Sequence, residues 1–99
     1  MVRMRREEVK KYLADVPEEY VFRCQDSCVF KNMRELRDGL VSMSDDIYTY
    51  HANTEKNDFS NWVKDIIKDE ILAADLRNAK SKAEAGRRVV SRIATLSRV

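Results

Sequence analysis

Apolar residues along this chain come in short runs at helical spacing, separated by charged and amide side chains. Val9, Tyr12, Leu13 and Val16 recur at i, i+3, i+4 and i+7, with Arg5, Arg6, Glu8 and Lys10 between them. That spacing predicts a helix with one apolar stripe, ended by Pro17. The next run, YVFRCQDSCVF, is β-branched and aromatic, and Gln25-Asp26-Ser27 in its middle is turn-forming. It predicts a hairpin of about 20–24 and 28–30. Two short strands are marginal alone and must pack on helices. The expected fold class is therefore α+β, predominantly helical: five or six short helices packed around one small β-hairpin.

Asn32 followed by Glu35 has the spacing of a capping arrangement, each side chain taking a backbone N–H. Met33, Leu36, Leu40 and Met43 then share one face of a helix reaching about Ser42, with Arg34, Arg37 and Asp38 pointing away. Ser44 offers a new cap, with Asp45 and Asp46 in the first turn of a helix over about 45–52, where the dipole favours negative charge. NTEKN reads as a loop, after which Asn57 or Asp58 caps a helix burying Phe59, Trp62, Val63, Ile66 and Ile67. Asp69 and Glu70 interrupt that stripe and start a short helix holding Ile71, Leu72 and Leu76. The last helix, about 82–97, buries Val89, Ile93 and Leu96, with Val90 at the edge, opposite Arg87, Arg88 and Arg98.

Length and composition narrow this further. Ninety-nine residues with two glycines and one proline make a single domain, 1–99, with little room for flexible linkers. Within it lie an N-terminal helix (1–17), a central body (20–76) and a basic C-terminal helix (80–99). A charged fraction of 36% leaves a small core under a heavily charged surface. No apolar run has the length of a membrane span, and MVRMRREEVKKYL lacks the apolar region of a signal peptide, so a cytoplasmic location is expected.

The counts also exclude chemistry. A single histidine, His51, removes every motif that needs two. Gly39 and Gly86 stand alone, whereas a phosphate-cradling loop needs several glycines close together, so nucleotide enzymes are not expected. Cys24 and Cys28 are too few for a disulfide scaffold. With His51 they could at most form an open zinc site, a carboxylate such as Asp26 completing it. The alternative is that Cys24 points inward as a small hydrophobe and Cys28 lies at the turn. Cysteine nucleophilic catalysis has no local feature to lower the thiol pKa. No catalytic residue, metal or cofactor is assigned.

Net charge is +2, but it is unevenly spread. Residues 1–12 hold five basic and two acidic side chains, 13–76 seven and fourteen, and 77–99 seven and one. Basic ends could pack against the acidic body as solvated charge pairs of small individual value. Alternatively, Arg87, Arg88 and Arg92 face outward and bind phosphates of a nucleic acid, although no stacking aromatics accompany them.

The order of FRC (Phe22 to Cys24), a turn, KNMRELRDGL, SDDIYTYH, NDFSNWV and DEILAADL resembles a small prokaryotic domain family of unknown function, seen in archaea and bacteria. The resemblance covers Phe22 to Leu76. It implies a small, mostly helical domain, found alone or within longer chains, and brings no established activity. Relatives often have Asp-Gly in the hairpin turn; Asp26-Ser27 here disfavours a positive φ.

Tyr50, His51, Asn57 and Asp58 gather polar and aromatic groups around one loop, with Tyr48 and Trp62 nearby in sequence. They could line a small-ligand pocket, with Asp58 and His51 as an acid–base pair. They could equally be structural: caps from Asn57 and Asp58, core from Tyr48 and Trp62, and His51 bonded to loop backbone near a helix C-terminus. Taken together, the residues predict a non-enzymatic protein–protein interaction or self-assembly module. Nucleic-acid binding and a ligand or metal pocket at His51 are the alternatives, and no membrane partner is expected.

Overall fold

The computed structural model describes residues 5–99. In chain order they form α1 (Arg6–Leu13), a 3₁₀ turn (Glu18–Tyr20), β1 (Phe22–Arg23), β2 (Val29–Phe30), α2 (Met33–Ser42), α3 (Asp45–His51), α4 (Asp58–Trp62), a π-helical turn (Val63–Ile67), α5 (Glu70–Asn78) and α6 (Lys82–Ser97). The fold is α+β and predominantly helical. No helix among the described residues is long and apolar enough to cross a membrane.

The first helix departs from the sequence expectation. Residues 1–4 of the predicted segment lie outside the described residues, and α1 ends at Leu13 rather than running to Pro17. A residue before proline is pushed out of the helical region, and here the chain leaves early to gain other partners. Val16 N–H donates to the Lys31 carbonyl at 2.7 Å, and Asp15 Oδ1 accepts from Asn32 Nδ2 at 2.8 Å.

The hairpin is shorter than predicted, pairing Phe22 with Phe30 and Arg23 with Val29. Its turn closes through Ser27 N–H to Cys24 O at 3.1 Å and Cys24 N–H to Cys28 O at 2.8 Å. Ser27 sits at a φ of 75°, which corrects the expectation from Asp26-Ser27. A three-residue loop of this kind needs a left-handed residue before the second strand, whatever its side chain. Asp26 Oδ1 braces it by accepting the Cys28 N–H at 3.2 Å.

Five helices start on side-chain caps. The acceptors are Asn32 (from Glu35 N–H, 2.8 Å), Ser44 (Ile47, 3.2 Å), Asn57 (Ser60, 3.0 Å), Asp69 (Leu72, 3.2 Å) and Ser81 (Glu84, 3.1 Å). Each bond satisfies a donor that the helix itself leaves open. Glu35 also returns the reciprocal bond to Lys31 N–H at 2.9 Å. Between α4 and α5, Lys68 turns left-handed at a φ of 71°. Its N–H and that of Asp69 both reach the Val63 carbonyl, at 2.7 and 3.2 Å, which delivers Asp69 to the start of α5.

α2 packs most extensively on α6, with α1 and α5 beside that pair. Leu36, Leu40, Leu72, Leu76, Val89 and Leu96 are almost wholly buried among them. The hairpin rests on α2: the Phe30 ring lies where a side chain at Gly39 would be, so this glycine is required by close approach.

Candidate functional site

His51 ends α3 in a buried aromatic cluster. Phe22 is its centre, with ring centroids 5.5 Å from Phe30, 5.1 Å from Phe59, 5.9 Å from Trp62 and 5.2 Å from His51. The Trp62 indole N–H donates to the Tyr20 carbonyl at 2.7 Å, fixing the strand entry to α4.

Both nitrogens of His51 are engaged. Nδ1 lies 3.0 Å from Asp58 Oδ2, and Nε2 accepts the Gln25 N–H at 3.0 Å. A donor aimed at Nε2 needs a bare lone pair there, so the hydrogen is on Nδ1, which donates it in a hydrogen bond to Asp58 Oδ2. The backbone partner belongs to the hairpin turn rather than to the loop after α3. Burial pushes the Asp58 carboxyl up, but hydrogen bonds from His51 and Lys56 outweigh it and hold the group below its ordinary value. An Asp–His pair of this kind orients the base of a catalytic triad, yet here the nitrogen that would take a proton holds a backbone amide.

The other pocket candidates serve the same local structure. Half-exposed Tyr50 sets its ring edge-on to His51, centroids 4.9 Å apart, and Lys56 Nζ lies 4.8 Å over the Tyr50 ring. Asn57 Nδ2 donates to the Leu76 carbonyl at 3.0 Å besides capping α4. The structure thus brings Tyr50 and Asp58 together on the His51 ring. A cleft of about 680 Å³ lies elsewhere along the 53–57 loop, walled by Tyr48, Asn57, Asn61, Arg77 and Lys80. Asn57 is the one pocket candidate that lines it.

Neither cysteine is activated. Burial, with Asp26 and Cys28 adding to it, pushes the Cys24 thiol up to about 12, while the Asp26 carboxylate raises exposed Cys28 by accepting its hydrogen bond. Among the described residues no group of three or more His, Cys, Asp or Glu side chains is arranged to hold a metal ion.

The three candidate arginines separate. Arg92 does not face outward: it is buried, its guanidinium meeting Asp69 through Nε to Oδ2 at 2.7 Å and Nη2 to Oδ1 at 3.0 Å. Position 92 falls between Val89, Ile93 and Leu96 on the inner face of α6, so the helical spacing itself turns it inward. Arg88 lies 3.5 Å from Asp75 and 3.8 Å from Glu84. Arg87 is exposed and makes no ion pair among the described residues.

Arg87 instead borders a feature that the sequence did not single out, an apolar trough of about 600 Å³ between α2 and α6. Leu40 and Gly86 form its floor, and Val41, Ala83 and Val90 its walls. Val41 is 69% exposed and Val90 49%. Among the described residues Lys82 and Arg87 are the charged ones lining it, and no carboxylate does. A methyl group added at Gly86 would meet nothing within 4 Å.

Compared with known proteins, the chain matches no family model, and neither a curated protein nor a solved structure matches it.

Proposed function

We propose that this protein is a small non-enzymatic module that works by binding another protein through the trough between α2 and α6. The observation that carries the reading is the trough itself, where two valines remain largely solvent-exposed beside an open floor. Exposed valines above a concave apolar floor supply the kind of apolar centre that a protein interface uses. The engaged nitrogens of His51 and the high-pKa thiol of Cys24 support a non-enzymatic role. A cytoplasmic, reducing setting suits the two free cysteines. Membership of the prokaryotic family that the chain resembles is part of the reading and rests on the order of its FRC, SDDIYTYH and NDFSNWV segments. The nucleic-acid alternative loses support because Arg92 is buried and Arg88 is paired with acidic neighbours.

The test is photo-crosslinking in the native host, with the reactive side chain placed at Val41 and, as control, at exposed Lys64. A discrete, nuclease-resistant protein adduct from Val41 and none from Lys64 is the expected result. Equal yields from both positions, or a nuclease-sensitive adduct, would contradict the reading.

A further inference from the structure

The fold accounts for one of its two glycines and leaves the other unexplained. Gly39 is dictated by the Phe30 ring, whereas Gly86, in the second turn of the 16-residue α6, is itself buried but has open space where a Cβ would stand. Glycine inside a helix costs about 1 kcal/mol relative to alanine, and among the described residues none stands where a Cβ at position 86 would be. A position that the fold would fill with alanine suits the close approach of something from outside.

Charge selects what approaches. Among the described residues Arg87 lacks an ionic partner, and Lys82 is held only by the Val41 carbonyl at 3.5 Å. Glu84, the one carboxylate of α6, is turned to Arg88 and lines no part of the trough. An isologous pair of troughs from two copies of this chain would set these cations against their own kind, which disfavours self-association on this face. An occupant with an apolar stripe and flanking carboxylates answers both features.

We infer that the α2–α6 trough receives an acidic amphipathic helix of a partner protein, with an apolar side chain seated over Gly86 and carboxylates at Arg87 and Lys82. The inference rests on the protein-binding reading above and adds the chemistry of the partner. Helix-in-groove recognition uses apolar anchors at i, i+3 or i+4, and i+7, and a central anchor dominates its energy.

The experiment is panning a library of random helical peptides displayed on phage against the intact protein, then measuring the enriched peptides on purified variants. Expected are sequences with an apolar stripe and Asp or Glu beside it, bound at least about 10-fold more weakly by Gly86→Leu and by Arg87→Glu. Gly86→Ala keeps the fold in play: it raises Tm by about 2–8 °C while weakening binding, a combination that a merely structural glycine does not give. Basic or neutral peptides that still depend on Gly86 would overturn the acidic partner while leaving the docking module standing. Peptides indifferent to Gly86→Leu would move the interface off this trough. Concentration-dependent dimerisation abolished by Gly86→Leu would make a second copy the occupant, and random oligonucleotide binding lost in Arg87→Gln would make it a nucleic acid. Either result overturns the inference. A strict monomer that enriches no peptide and gives no crosslink from Val41 would contradict the inference and the underlying reading together.

Discussion

Arg92 and Asp69 form a two-point ion pair inside the protein, and the same carboxylate caps α5 through the Leu72 N–H. One buried acid thereby fixes both the start of α5 and the rotation of α6. Breaking a buried pair from one side leaves a charge without compensation, so Arg92→Met is expected to lose about 3–5 kcal/mol. Combining it with Asp69→Ser removes the stranded charge and keeps a capping hydroxyl, and part of the loss should return. Urea unfolding of the two variants measures this; a single-variant loss below about 1 kcal/mol would mean that the pair carries little.

The left-handed Ser27 makes a second prediction. Glycine adopts a φ of 75° without the side-chain penalty, so Ser27→Gly should gain about 0.5–1 kcal/mol after its larger unfolded-state entropy is counted. A β-branched residue there, as in Ser27→Val, should lose stability. Thermal unfolding of both variants gives opposite signs if the turn is as described.

Asp58 sets an acid limit. Its folded pKa lies below its ordinary value of 3.8, so its contribution is fully present above that value and is lost as pH falls through the folded pKa. The difference in unfolding free energy between wild type and Asp58→Ala should shrink on acidification from about pH 5 to about pH 2. A difference independent of pH would contradict the bonds from His51 and Lys56.

The thiols should divide into two classes. Exposed Cys28 reacts with an aromatic disulfide reagent in the native state, slowly at neutral pH because its pKa is raised. Cys24, buried and pushed up to about 12, reacts only on unfolding. Two thiols titrating together under native conditions would contradict the burial of Cys24.

Much of the fold is legible in the chain because caps and stripes are local. Asn32, Ser44 and Asn57 are polar residues just before apolar periodicity, and each caps the predicted helix. α6 spans the predicted 82–97. Pro17 misleads because a long-range bond from Val16 to Lys31 competes with the last helical turn. Arg92 shares the inner spacing of Val89 and Leu96, but its charge suggests solvent until Asp69, 23 residues away, is placed beside it. The His51 bond to Gln25 spans 26 residues, and Lys82 meets Val41 across 41. Such contacts, and the trough between α2 and α6, exist only once the helices pack.

The most direct measurement joins stability and contact at one residue. In Gly86→Ala, unfolding free energy should rise by about 0.5–1 kcal/mol, because a better helix former enters open space, while the crosslink yield from Val41 in the native host falls. A more stable Gly86→Ala protein that crosslinks as well as wild type would contradict the claim that this trough is where the protein meets its partner.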